Sequence, residues 1–153
     1  MLVVGFALTW ALGGDTVTAT EGDAAPDFTV ELLDGGSFSL ADHLTNDGRP
    51  LILNLWASWC PPCRKEIPDL SAFAAANPDV AVIGVAVEDV LADSRALAVE
   101  LDPSYPLAFG DEDFANAYPN LGLPVTYFID GDGTVTEVFN GVLTEATIAE
   151  KVD

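Results

Sequence analysis

Basic side chains are scarce in this chain of 153 residues: five Lys and Arg stand against 25 Asp and Glu, for a formal net charge of −20. Arg49, Arg64, Lys65, Arg95 and Lys151 are the whole set. Nucleic-acid binding and adhesion to anionic lipid head groups need clustered cations, so neither is expected unaided. Histidine occurs once, as His43, and cysteine twice, as Cys60 and Cys63. A structural zinc site takes four nitrogen or sulfur ligands, which these residues cannot supply, so no metal is expected. Long apolar runs are missing too: Met1–Leu12 is nearly all apolar, but a bilayer-spanning helix needs about 20 such residues. Core-forming residues are not lacking. Half the chain is hydrophobic and 9% aromatic, which excludes an acidic disordered tail. At this length a single domain with its own core is expected, as a monomer. The acidity reads first as a solubility device for a salty or extracellular setting, and second as an attraction for a basic partner.

The N-terminal run has the length of the apolar part of an export signal, and Ala11-Leu12-Gly13 offers small residues where a signal peptidase reads. The usual preceding cations are absent, since no Lys or Arg comes before Arg49. An atypical signal and the tail of an anchor both fit. Residues 1–14 are read as a signal or anchor remnant, 15–25 as a flexible polar linker and 26–153 as the folded domain.

Within the domain, Phe28–Leu32 and Ser37–Leu40 alternate like strands around an Asp34-Gly35-Gly36 turn, which predicts a hairpin. Asn46–Pro50 is a loop. Leu51–Ala57 is apolar except for Asn54, as in a strand buried on both faces. Arg64–Ala76 has helical spacing, with Ile67, Leu70, Phe73 and Ala74 on one face. Val80–Val87 is a second buried strand and Val90–Leu101 an amphipathic helix. A short strand near Leu107–Phe109 and a short helix over Asp111–Tyr118 follow. Val125–Ile129 and Thr134–Asn140 flank the turn at Asp130–Gly133, and Thr144 caps a final helix reaching Lys151. The order ββ-βαβα-(βα)-ββα predicts an α/β fold whose parallel core carries an antiparallel edge. Asp130-Gly131-Asp132 begins like a calcium loop, but the sixth and twelfth positions are Val135 and Gly141 rather than Gly and Glu. His43 is expected at the surface or a helix end, without a role.

The two cysteines form Cys60-Pro61-Pro62-Cys63, between the first buried strand and its helix. A c-type haem site would need His after the second cysteine, where Arg64 stands. A purely structural disulfide closing so short a loop constrains the unfolded chain little. A redox-active dithiol is the reading that remains. At the helix start, Cys60 meets the positive end of the helix dipole, which favours its reactive thiolate. Pro61 and Pro62 suit the first turn, where no amide is needed, yet they withhold donors from that thiolate. Cys63, one turn in, is the natural resolving thiol. Arg64 and Lys65 place two of the five cations beside the dithiol, where they either tune the thiolate or form a basic exposed helix face by chance. Glu66 lies within reach of the site as a proton carrier, although alone it reads as a solvated surface carboxylate.

The segment Asn54–Pro68 (NLWASWCPPCRKEIP) resembles the active-site segment of thioredoxin-like proteins of the TlpA/ResA type, and the likeness runs from about Pro26 to the C-terminus. Pro68 matches the proline that kinks the active-site helix, and Gly122–Thr126 matches the cis-proline loop that faces the dithiol. Asp130–Gly133 matches the hairpin after it, and the insertion Glu88–Asn120 suits this branch better than plain thioredoxin. The resemblance implies a thioredoxin-like fold: a central mixed β-sheet flanked by helices, with an N-terminal β-hairpin and a βα insertion. It implies that Cys60 attacks, Cys63 resolves, Glu66 is the active-site carboxylate, and Leu123 and Pro124 shape a partner-binding groove with Trp59, Pro61 and Pro62. Asn54 replaces thioredoxin's buried Asp, so that proton relay is absent. No cofactor is expected beyond the redox-active Cys60–Cys63 disulfide.

Partners implied by the resemblance are disulfide- or thiol-bearing proteins, with a membrane thiol as electron donor. Apocytochrome c thiols are the best-known target, and family members are exported or anchored. A peroxiredoxin would need Thr or Ser three residues before its reactive cysteine; position 57 is Ala. The expected activity is therefore extracytoplasmic reduction of partner disulfides. The alternatives are a disulfide-forming oxidant and a non-catalytic module that uses the groove and the acidic surface.

Overall fold

Apolar alternation and glycine turns give the first hairpin of the computed structural model, which describes residues 17–152. Strands β1 (Thr29–Leu32) and β2 (Ser37–Ser39) pair antiparallel, closed by Gly35 and Gly36 at φ of 107° and 85°, where a side chain would be strained. Sequence alternation carries the second strand to Leu40 and expects no helix after it. The structure has one, α1 (Leu40–Asn46), because Ser39 caps it by accepting the Asp42 N–H at 3.2 Å. His43 lies on α1 and is buried rather than at the surface, its ring Nε2 2.9 Å from the Arg49 carbonyl oxygen.

The remaining elements follow the expected order: β3 (Leu51–Trp56), α2 (Pro61–Ala76), β4 (Ala81–Ala86), α3 (Leu91–Leu101), β5 (Leu107–Phe109), α4 (Glu112–Ala117), β6 (Val125–Ile129), β7 (Val135–Asn140) and α5 (Glu145–Val152). They build one seven-stranded sheet in the order β2-β1-β5-β4-β3-β6-β7. The β3–β4 and β4–β5 pairs are parallel, and the others are antiparallel. This is the mixed, thioredoxin-like sheet with helices that the residue pattern and the resemblance imply.

Alternation along β3 sorts the core into two layers. Leu51, Leu53 and Leu55 join the layer containing Phe28, Phe114 and Tyr118, while Ile52 and Trp56 join the layer under α2. Each fully buried Leu or Ile contributes about 1.5–3 kcal/mol. The same alternation sends Asn54 to the α2 side. It stands between Gly84 on β4 and Thr126 on β6 in register. A Cβ on Gly84 would come within 2.6 Å of Leu107 Cδ2 and crowd the Trp56 indole, so glycine is required for packing beside Asn54.

The expected flexible linker is corrected where the structure describes it. Ala19 is buried and donates its N–H to the Ala117 carbonyl at 2.7 Å. Gly22 N–H binds Val135 O and Ala25 N–H binds Gly133 O, while Val135 N–H returns to Asp23 O. The Glu21 carboxylate accepts the Val138 N–H at 2.8 Å. A polar composition disguised a strap that satisfies amides beside the edge strand β7. The apolar run 1–14 and residues 15 and 16 lie outside the described residues. No helix among the described residues is long and apolar enough to cross a membrane.

Candidate active site

Strand β3 delivers the chain to the sheet's end, where Ala57, Ser58, Trp59 and Cys60 make a turn closed by Cys60 N–H to Ala57 O at 3.2 Å. Cys60 is the N-cap of α2, with extended backbone, and its Sγ accepts the Cys63 N–H at 3.3 Å. Pro61 and Pro62 fill the first two helical positions, so the first available amide in the helix is that of Cys63. The prolines withhold their own donors, as expected, and thereby direct the next one at the sulfur. Cys60 and Cys63 are disulfide-bonded, with Cα atoms 5.3 Å apart, and both are buried. Their sequence neighbours Trp59, Pro61 and Pro62 are not. Trp59 is 59% exposed, and Pro61 and Pro62 are exposed.

The loop before β6 completes the site. The Leu123–Pro124 peptide is cis, Pro124 is buried, and Leu123 packs against the apolar cluster that contains both cysteines. Leu121, two residues earlier, is 99% exposed. A groove of about 510 Å³ lies alongside, lined by Glu88, Asp89, Asp111 and Glu112 with Phe109 and Pro119. The Trp59 indole donates to the Glu88 carbonyl oxygen at 2.9 Å, which ties the tryptophan to that groove's edge.

Glu66 departs furthest from its stand-alone reading. Rather than being solvated, it is fully buried on α2, one turn beyond Cys63. Its Oε1 accepts from Asn54 Nδ2 at 2.5 Å and its Oε2 from the Leu143 N–H at 2.7 Å. Burial pushes its pKa from 4.5 up to about 7, against those two hydrogen bonds, which favour the ionised form. Asn54 Nδ2 also donates to Thr126 Oγ1 at 3.0 Å, while its Oδ1 is buried without a partner among the described residues. Rotating this amide presents Oδ1 instead of Nδ2 to Glu66, so a neutral carboxyl finds an acceptor where an ionised one finds a donor. The Tyr105 hydroxyl is buried too, and burial together with the nearby Glu66 charge keeps it protonated.

Arg64 and Lys65 are both exposed. Arg64 turns away to an ion pair with Glu100 at 2.8 Å, across to α3, and neither cation hydrogen-bonds a cysteine. Ala57, three residues before Cys60, is buried and brings no hydroxyl to the sulfur. Among the described residues no group of three or more His, Cys, Asp or Glu is placed to hold a metal ion. No local pattern marks the Leu143 amide, which is anonymous backbone, or Asp89, whose partners Ser58 and Ser94 sit in the turn before Cys60 and on α3.

The model of the AhpC/TSA family matches residues 21–138. The thiol:disulfide interchange protein DsbE of Escherichia coli K12 is 33% identical over 162 residues, spanning 99% of this chain and 86% of that protein. The thiol-disulfide oxidoreductase ResA of Geobacillus thermodenitrificans is 28% identical over 135 residues, spanning 86% of this chain and 76% of its own length. A solved structure of a secreted Mycobacterium tuberculosis disulfide oxidoreductase, described as homologous to E. coli DsbE, aligns with a TM-score of 0.68 at 27% identity. That alignment covers 82% of this chain and 93% of the other.

Proposed function

We propose that this chain, which belongs to the AhpC/TSA family and is a thiol–disulfide oxidoreductase, reduces disulfides of partner proteins outside the cytoplasm. The observation that carries the reading is the placement of Glu66: a buried carboxyl with a pKa of about 7, one turn past Cys63 and held by Asn54 and Leu143. In the reduced protein Cys60 attacks a partner disulfide as thiolate, forming the mixed disulfide and releasing one partner thiolate, which takes up a proton. Cys63 loses its proton to ionised Glu66 and attacks Cys60 Sγ. The second partner thiolate leaves, and the Cys60–Cys63 disulfide forms. Two electrons pass from the dithiol to the partner. A carboxyl that titrates near neutrality suits proton exchange with a thiol in this step.

Exposed Trp59, Pro61 and Pro62, with half-buried Leu123 beside buried Pro124, supply the surface on which the partner lies. Disulfide-bonded apocytochrome c is the partner class that the likeness to ResA and DsbE favours. The extracytoplasmic setting draws support from the secreted M. tuberculosis relative and from the apolar sequence that precedes the domain. The test is rapid acid quenching of living cells followed by alkylation. Cys60 and Cys63 are expected to be mostly reduced and both labelled. A population held mostly as the disulfide would favour the oxidant instead.

A further inference from the structure

We propose that Asp89 is a positioning residue for thiol–disulfide exchange: its carboxylate buckles the turn carrying Trp59 and Cys60 to the start of α3. The inference rests on Cys60 being the attacking thiol. Asp89 sits in the loop between β4 and α3, and its oxygens accept four hydrogen bonds. Oδ1 takes the Ser58 hydroxyl at 2.7 Å and the Val90 N–H at 2.8 Å. Oδ2 takes the Ser58 N–H at 2.7 Å and the Ser94 hydroxyl at 2.6 Å. Four donors and no acceptor surround the group, an environment only a carboxylate satisfies in full. Ser94 is itself completely buried, so its hydroxyl anchors the buckle to α3 from within the protein.

The neighbouring residue points the same way. Glu88 adopts a left-handed backbone at φ 52° without being glycine, a conformation that a non-glycine residue holds only under strain. That conformation is over-determined by its surroundings, because the Glu88 carbonyl holds the Trp59 indole while Asp89 holds Ser58. Three hydrogen bonds thus fix a two-residue turn immediately before Cys60 to a separate part of the chain. A partner disulfide must align with the Cys60 sulfur while its polypeptide rests on Trp59 and the 123–124 loop, so both contacts depend on where this turn stands. A small disulfide needs only the sulfur. The buckle therefore matters for protein disulfides more than for small ones.

The test compares single-turnover oxidation of the reduced protein by insulin and by oxidised glutathione, for wild type, Asp89→Ala, Asp89→Asn, Ser58→Ala and Cys60→Ser. Asp89→Ala is expected to slow reaction with insulin ~10-fold, and with glutathione less than about threefold. Asp89→Asn keeps one acceptor oxygen and is expected to recover part of the insulin rate. An unchanged insulin rate, or an equal fall for both disulfides, overturns the proposal. Should Asp89→Ala not fold, Ser58→Ala decides alone, since it removes a single hydroxyl. Slower insulin with unchanged glutathione supports the buckle, and any equal effect overturns it. Cys60→Ser separates the role of the attacking thiol from that of the buckle. Activity surviving in that variant removes the attacking-thiol reading and the buckle with it. Loss there beside an unaffected Asp89→Ala removes the buckle only.

Discussion

Cys63→Ser is expected to leave the protein covalently joined to its partners through Cys60. In the wild type the mixed disulfide is short-lived, because the resolving thiol is one helical turn away on the same rigid segment. Intramolecular reactions between well-oriented groups reach very high effective concentrations, so replacing that thiol by a hydroxyl should lengthen the mixed disulfide's life on the order of 10³-fold. Non-reducing gels followed by mass spectrometry should show adducts that disappear on adding dithiothreitol. Cys60→Ser should show none, and the double variant should be inert. Adducts formed through Cys63 in a Cys60→Ser background would reverse the assignment of the two thiols. The prediction follows from the exposed surroundings of Cys60, which caps the helix, against the deeper place of Cys63 within it.

Glu66→Gln carries the second large effect, and it has a pH signature. Burial raises the Glu66 carboxyl from 4.5 to about 7, so near neutrality the wild type holds it in both forms. General acid–base assistance of this kind contributes roughly 10²–10⁴-fold. The amide should therefore slow resolution of a pre-formed mixed disulfide by about 100-fold at pH 7. The inflection near pH 7 should vanish, leaving only the thiols' own titration. A residue that merely fills space would lower the rate without moving the profile.

The same carboxyl predicts a stability trend of defined sign. Its folded-state value lies above its unfolded one, so between pH 4.5 and about 7 the folded protein binds more protons than the unfolded chain. Stability should fall as pH rises through that window, by about 3 kcal/mol if Glu66 acts alone, and level off above it. Asp47, held near 2 chiefly by its hydrogen bond to Arg49, titrates below the window, and so does Asp89, where four hydrogen bonds outweigh the opposing effect of burial. Glu66→Gln should flatten the slope. Thermal unfolding at pH 4.5, 6 and 8 measures it, and a wild-type protein that gains stability from pH 5 to 7 would contradict the burial of an ionisable Glu66.

How much of this was legible in the sequence depended on whether the signal was local. The strand Leu51–Trp56, the Cys60–Cys63 pair at the helix start and the glycine turns are short-range patterns, and the structure has each of them. Helix α1 is masked because Ser37–Leu40 alternates like a strand, although Ser39 followed by Asp42 is a cap signal. The strap 19–25 was missed for a different reason. Its composition is that of a linker, and only the unpaired amides of β7 and the carbonyl of Ala117, more than 90 residues away in sequence, give it a place. Glu66 shows the same limit at the site. One turn past Cys63 was readable, but its burial depends on the Leu143 amide and on Asn54 facing α2 from a different element. Resemblance supplied what spacing could not. It implies Glu66 as the active-site carboxylate and Leu123 and Pro124 as groove residues, and Leu123 packs on the apolar cluster that includes both cysteines.

The reduction potential of the Cys60–Cys63 pair decides the direction of electron flow. Equilibration of the purified protein against glutathione or dithiothreitol buffers, read by alkylation, gives the value. A reducing couple near that of thioredoxin, about −270 mV, is expected, so that electrons run from the dithiol to partner disulfides. A value near about −120 mV, that of a strong disulfide-forming oxidant, would contradict it.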